Sequence, residues 1–203
     1  FIAGQFKQSD SPDLLSVYNP ASGSVYAHCP AGHAQDIDAA VLASQQAFPT
    51  WSALKPSQRA LWLNKLADGI AARFDELVRC ESQDTGKPVA IVREFEMPRV
   101  IENFRFFAAV CQQSPDQAFH SEAGLNYPLH QPLGVVGVIS PWNLPLYLLS
   151  WKIAPALAVG NCVIAKPSEI TPMSANLLAE VCIDIGLPAG VLNIVHGLGE
   201  TVG

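Results

Sequence analysis

The sequence predicts an α/β fold, a parallel sheet with flanking helices, preceded by a helical region and carrying an extended arm. Three observations predict it. Val135 to Ser140, Cys162 to Ala165 and Val191 to Val195 are short apolar runs, the stretches between them have the length of helices, and the links are short. Apolar strands that alternate with helices are the pattern of a parallel sheet covered on both faces.

Taken in order, Phe1 to Phe6 and Ser16 to Tyr26 alternate weakly around Gly4 and the Asn19-Pro20-Ala21-Ser22-Gly23 turn, and are expected to form short hairpin strands. Ala34 to Phe48 sets Ile37, Ala40, Val41 and Phe48 on one face with Ser44 among them, a helix expected to stop at Pro49. Ser57 is expected to cap a helix carrying Leu61, Leu63, Leu66 and Ile70. Phe74 to Cys80 extends the helical region until Asp84-Thr85-Gly86-Lys87-Pro88 breaks it, and a further helix is expected over Val89 to Cys111. Leu125 to Pro132 is mixed in polarity, as an exposed hairpin arm would be. Val135 to Ser140 is then expected to be buried on both faces. Leu144 to Val159 reads as a helix interrupted near Pro155, and Thr171-Pro172 as the cap and first residue of a helix ended by Gly186.

Composition removes several classes of function. Hydrophobic residues make up 49% and charged residues 15%, which suits an extensive core and not a disordered chain. A net charge of −6 with no Lys/Arg run argues against a nucleic-acid partner. The apolar stretch from Gly134 to Val159 contains Pro141, Asn143, Pro145, Lys152 and Pro155, so it reads as strand plus helix and not as a membrane span. The five cysteines are widely spaced and lack a C-x-x-C pair, which favours reduced thiols and a cytoplasmic location. The chain opens at Phe1 and ends at Gly203, where a helix is expected to begin, so both ends read as truncations.

In such a sheet, ligands bind beyond the carboxyl ends of the strands. The loops there are Ser140-Pro141-Trp142-Asn143, Lys166-Pro167-Ser168-Glu169 and His196-Gly197-Leu198-Gly199. A carboxylate such as Glu169 at a second strand end can accept both hydroxyls of an adenosine ribose and repel a 2′-phosphate, while Lys166 donates to the same sugar. A surface ion pair is the alternative. Gly197-x-Gly199-x-x-x-Gly203 follows a strand but departs from the G-x-G-x-x-G spacing of dinucleotide sites. Asn143, between two prolines, presents an amide suited to a developing oxyanion. It is equally suited to capping the next helix.

The run Pro141-Trp142-Asn143, then Lys152 to Asn161, then Lys166 to Glu169, then Gly186 to Asn193 resembles the aldehyde dehydrogenase family in order and spacing. Asn19 to Gly23, Ala47-Phe48-Pro49-x-Trp51 and Thr85-Gly86-Lys87-Pro88 look like further landmarks, so the resemblance covers nearly the whole chain. It implies a Rossmann-like, NAD-binding core over residues 134–203, an N-terminal helical part of the same domain over 1–118 and an oligomerisation arm over 119–133. Asn143 then looks like the oxyanion donor; Ile139, Ser140, Pro141 and Trp142 like the cofactor groove; Lys166, Ser168 and Glu169 like the ribose site. Gly199 and Gly203 match the loop that meets the pyrophosphate. Tyr18, Asp84 and Ile170 match positions that hold a structural monovalent cation, sodium or potassium.

A narrower similarity, carried by Pro98-Arg99, by Asn103 to Ala108 and by Ile139 to Lys152, is to the 2-aminomuconic and 2-hydroxymuconic semialdehyde dehydrogenases. Their substrates carry a carboxylate, which implies that Arg99 binds it and that Leu144 and Trp151 line the substrate tunnel. The family's cysteine nucleophile and glutamate base have no match among these residues, so the chain alone is expected to be inert. The resemblance also implies a homodimer or homotetramer in the intact enzyme. The rival expectations are a CoA-acylating semialdehyde dehydrogenase and a non-catalytic NAD-binding or assembly module.

Overall fold

The computed structural model describes residues 1–9, 12–113 and 117–203, so two short stretches of the helical part expected over 1–118 lie outside it. Strands β1 (Leu14–Tyr18) and β2 (Val25–Pro30) pair antiparallel around the Asn19 turn. There the Asn19 side chain accepts the Ala21 N–H at 2.9 Å and Gly23 takes φ +70°, an Asx-type turn. Phe1 to Phe6 does not form the expected strand. One bridge between Ile2 and Gln5 closes a tight turn, and Phe1 instead exchanges two backbone hydrogen bonds of 2.8 Å with Ile194.

Helix α1 (Ala34–Ser52) runs through Pro49, because Trp51, only 1% exposed, anchors one more turn in the core. Helix α2 (Pro56–Ala72) starts with proline in its first turn after Lys55, whose N–H is accepted by Gln58 Oε1 at 2.9 Å; Ser57 therefore lies inside the helix and does not cap it. Leu63, Leu66 and Ile70 are buried as expected, but Leu61 faces outward. Helix α3 (Phe74–Thr85) ends at Gly86, which takes φ +74°. The helix expected over Val89 to Cys111 is built as α4 (Val89–Ile91), a π-helical stretch Val92–Glu96 and α5 (Met97–Gln113). An exposed hairpin follows, β3 (Phe119–Ser121) and β4 (Gly124–Asn126). It turns at Glu122-Ala123, ahead of the expected Leu125 to Pro132, whose residues from Tyr127 on are exposed or partly so but pair with no strand among the described residues.

The parallel sheet is β5 (Val135–Ile139), β6 (Cys162–Lys166) and β7 (Leu192–Ile194), in that spatial order. Helices α6 (Pro145–Ala158) and α7 (Met173–Asp184) make the crossovers, and Pro155 sits inside α6 without ending it. The last element is α8 (Gly199–Val202), so the final helix opens before Gly203. Every residue of β6 is buried. Ile164 packs with Ala40 and Ala43 of α1, while Val163 and Ala165 join the large core of α2, α3, α5, α6 and α7. Strand β5 is not buried on both faces as expected: Gly137 and Ile139 are exposed, because it pairs with β6 along one side only. Among the described residues no helix is long and apolar enough to cross a membrane.

The start of β7 is fixed by a buried polar knot. Asn193 donates to Ser44 Oγ at 2.8 Å and to the Gly190 carbonyl at 3.1 Å, and accepts the Ala3 N–H at 2.9 Å. Gly190 takes φ +83°, and a Cβ there would meet the Ala43 carbonyl oxygen at 2.3 Å. Backbone oxygen cannot step aside as a side chain can. Gly190→Ala is therefore expected to cost about 3 kcal/mol of stability. Denaturant unfolding of the protein that carries this chain measures it, and a loss below about 1 kcal/mol would contradict the close approach of α1.

Candidate functional site

The carboxyl ends of β5 and β6 bring two of the three predicted loops side by side. The Ser140 N–H donates to the Lys166 carbonyl at 3.2 Å, and the Thr171 hydroxyl donates to the Trp142 carbonyl at 3.5 Å. Lys166 is 5% exposed and donates through Nζ to Glu169 at 2.8 Å and to the Pro167 carbonyl at 3.2 Å. The ammonium holds the Glu169 carboxyl below its ordinary range. This is an ion pair, but only its acidic partner reaches the surface. Ser168 turns inward to accept the Ile170 N–H at 3.2 Å. Ser140 Oγ is buried without a hydrogen-bond partner among the described residues, an orphaned donor and acceptor at the end of β5. Gly199 has open space where a Cβ would stand, while a Cβ on Gly203 would meet the Gly199 carbonyl oxygen at 2.3 Å.

Glu169, Trp142, Ile170, Tyr18, Asp84 and Leu198 line one cavity of about 630 Å³. Of the predicted ribose residues Glu169 alone lines this space, together with the three predicted cation residues; Lys166 and Ser168 do not. Asp84 is 3% exposed, and both of its oxygens are engaged: Tyr26 donates at 2.5 Å and the Met173 N–H at 2.9 Å. The second bond supplies the cap of α7, which the sequence reading gave to Thr171.

Helix α6 is capped in the same way. Its N-cap residue is Leu144, with no side-chain cap of its own, and Glu81 Oε1 accepts the Leu146 N–H at 3.1 Å. The alternative reading of Asn143 as that cap is thus not realised. Asn143 is exposed, its side chain makes no hydrogen bond among the described residues, and its carbonyl accepts from Lys87 Nζ. Burial pushes the Glu81 carboxyl up to about 7, against the opposing pull of Ser174 and the Leu146 N–H. Glu81 Oε2 and Ser174 Oγ are close enough to interact, yet neither makes a hydrogen bond of full geometry.

Arg99 and Trp151 meet at a second cavity, of about 590 Å³, which Asn103, Arg105, Phe106 and Phe107 also line. Arg99 pairs with Glu102 at 3.0 Å, and the Tyr147 hydroxyl and Glu102 both favour its charged form. Tyr147 packs on Trp151 at 5.6 Å and on Phe95 at 6.2 Å. Leu144 is half-buried and Asn143 lines neither cavity. Tyr147 had no role predicted from the sequence, although its spacing of four residues from Trp151 puts both on one side of α6. Glu81, Glu96 and Lys87 were missed too, and only Lys87 left a trace, as part of the Thr85–Pro88 landmark.

Each of the five thiols is pushed up by burial: Cys29 and Cys162 to about 11, Cys80 and Cys182 to about 12, and Cys111 upward as well. None carries the thiolate that a nucleophile needs. Burial also lowers His196 to about 4, so it is neutral, with its Nδ1 unpartnered beside the glycine loop.

The profile of the aldehyde dehydrogenase family matches residues 6–203. The chain is 46% identical to a 2-aminomuconic semialdehyde dehydrogenase of Danio rerio, over all of this chain and 42% of that protein. It is 44% identical to a 2-hydroxymuconic semialdehyde dehydrogenase of Pseudomonas sp. (strain CF600), over 98% of this chain and 42% of that protein. An aldehyde dehydrogenase of Bacillus cereus solved with NAD+ superposes with a TM-score of 0.95 at 38% identity, over all of this chain and 42% of that one. The chain thus spans less than half the length of these relatives.

The Glu81 cap carries a pH signature. Its folded pKa of about 7 lies above the ordinary 4.5. The stability it lends is therefore full below about pH 4.5 and is lost as pH rises through about 7. Glu81→Gln keeps an oxygen for the Leu146 N–H and cannot ionise. Its stability relative to the native protein is expected to rise across that window and level off above it. Urea midpoints taken from pH 4 to 8 measure this, and parallel curves would contradict a buried, titrating Glu81.

Proposed function

Because the chain belongs to the aldehyde dehydrogenase family, we propose that it supplies the cofactor platform and oxyanion donor of an NAD-dependent enzyme that oxidises an aldehyde to its acid. The observation that carries this is the pairing of the two strand-end loops: the free carboxamide of Asn143 on one, and the Lys166–Glu169 pair on the other, joined by the Ser140–Lys166 backbone bond.

The residues present fit the cofactor. Glu169 offers a partly exposed carboxylate for two ribose hydroxyls, and buried Lys166 offers a fixed ammonium beside it. Ser140 Oγ awaits a partner, and Ile139, Pro141 and Trp142 form the exposed wall of the groove. Gly199 and Gly203 bound the short turn assigned to the pyrophosphate. Ser168 serves the ribose site indirectly, by holding the turn between Lys166 and Glu169. NAD, when bound, supplies the hydride acceptor. Asn143 then donates its amide N–H to the oxygen that gains charge as a thiol adds to the aldehyde carbon. In the family that thiol and the glutamate that activates water are separate residues, and none of the five thiols here is suited to the part. Tyr18, Asp84 and Ile170 suit a sodium or potassium ion, since Asp84 keeps a free lone pair on each oxygen.

The substrate in this reading is a semialdehyde carrying a carboxylate. Arg99 meets that carboxylate, Trp151 lines the same cavity with Tyr147 packed against it, and half-buried Leu144 follows Asn143 at the start of α6. Residues 119–133 form the arm of a homodimer or homotetramer, with Phe119, Leu125, Tyr127, Leu129 and Leu133 exposed along it. The free thiols fit a reducing compartment such as the cytoplasm.

In the full-length enzyme, Arg99→Ala is expected to raise KM for a carboxylated semialdehyde by about 10- to 100-fold, the worth of one charge-assisted contact, and to spare a simple aldehyde. Equal losses on both substrates would remove Arg99 from the site. Glu169→Ser is expected to narrow the preference for NAD over NADP, read as the ratio of kcat/KM with the two cofactors. An unchanged ratio would mean that the carboxylate does not face the ribose.

A further inference from the structure

We propose that Lys87 is a positioning residue for Asn143, holding the backbone from which the oxyanion donor projects; this rests on the reading of Asn143 given above. The geometry begins at the end of α3. Gly86 takes φ +74°, and a Cβ there would meet Pro20 Cγ at 2.8 Å, so the chain turns sharply in a space that only glycine fills. The turn is fastened by Ser82 Oγ, which donates to the Lys87 carbonyl at 2.6 Å. The Lys87 side chain then spans two elements. Its Nζ donates to Glu96 Oε1 at 2.6 Å and to the carbonyl oxygen of Asn143.

Both contacts are directional. Glu96 lies in the π-helical stretch, 2% exposed, and its other oxygen has no partner among the described residues, so the Lys87 ammonium is the charge paired with it. The ammonium is thereby fixed, and it in turn fixes the peptide plane after Asn143. Three residues on, Glu81 holds the Leu146 N–H. The backbone from Asn143 to Leu146 is thus gripped at both ends by side chains from one segment, Glu81 to Lys87. This matters because the Asn143 carboxamide has no hydrogen bond of its own to orient it. Its direction is set by its backbone, and donors to a developing oxyanion must be held in place before charge appears.

The test uses the full-length enzyme that carries this chain, with Asn143→Ala, Lys87→Met, their double variant, and Lys87→Met with Glu96→Gln. Asn143→Ala alone is expected to lower kcat by about 10²- to 10³-fold. Lys87→Met is expected to lower kcat about tenfold or more and leave KM for NAD unchanged. In the Asn143→Ala background the same change is expected to have no further effect, because residues that act as a unit are not additive. Lys87→Met with Glu96→Gln leaves no unpaired charge. It is expected to keep the thermal midpoint and still lose kcat, which separates positioning from folding. An equal loss from Lys87→Met in both backgrounds, or recovery of kcat in the charge-free double variant, would overturn the proposal. An unchanged kcat in Asn143→Ala would instead overturn the oxyanion reading, and the role of Lys87 with it.

Discussion

Two buried carboxylates on one face of α3 hold the candidate site together. Glu81 and Asp84 stand three residues apart, one turn of helix, and each accepts a backbone N–H from the start of a different helix: Leu146 of α6 and Met173 of α7. Those starts are where the strand-end loops of β5 and β6 re-enter regular structure. A helix N-terminus leaves backbone donors unsatisfied and carries partial positive charge, so a carboxylate there is favourable twice over. Burying the two acids together has a cost, seen in the upward shift of both. It is offset by the N–H groups of the helix ends and by the Tyr26 hydroxyl, while the Glu96 charge nearby adds to it. Two of the three loops that bear candidate residues therefore take their positions from an element that contributes Asp84 alone to the predicted site.

That arrangement explains what the sequence could and could not disclose. Strand β6 was legible because a central strand is buried at every position, and its apolar run says so directly. The similar run of β5 misled: an apolar strand has the same texture at the centre of a sheet and at its edge, and here β5 has one neighbour. Caps were misplaced for a related reason. Ser57 and Thr171 are good local capping residues, but Pro56 claimed the first turn of α2, and Asp84 reached α7 from 89 residues away. Pro49 is a strong local stop, overruled by the burial of Trp51. Local signals predicted the elements well and their ends poorly, because the ends are decided by contacts from distant segments.

The candidate site divides along the same line. The placing of Lys166, Glu169 and Asn143 at strand ends was readable, because the apolar runs of β5 and β6 mark where the loops begin and the loops were short enough to name residue by residue. That ligands sit there is the general expectation for such a sheet. Lys87, Glu96 and Glu81 act through contacts 9 to 65 residues away in sequence. No periodicity announces such a contact. Sequence patterns point to groups at strand ends more readily than to those that hold them there.

The ion pairs on the two sides of α6 differ in a way that suits different tasks. Lys166 is almost wholly buried, with Nζ tied to both Glu169 and the Pro167 carbonyl. Releasing it would strand a charge in a low-dielectric setting, so the pair offers a ligand one fixed geometry. Arg99 and Glu102 are 48% and 61% exposed, joined by one contact of 3.0 Å. Such a pair is worth little in water, and either partner can leave it at small cost. A guanidinium held so loosely is free to exchange Glu102 for the carboxylate of an incoming molecule. In the function proposed above, the fixed pair would meet a nucleotide whose shape does not vary, and the loose pair a substrate that must enter, react and depart.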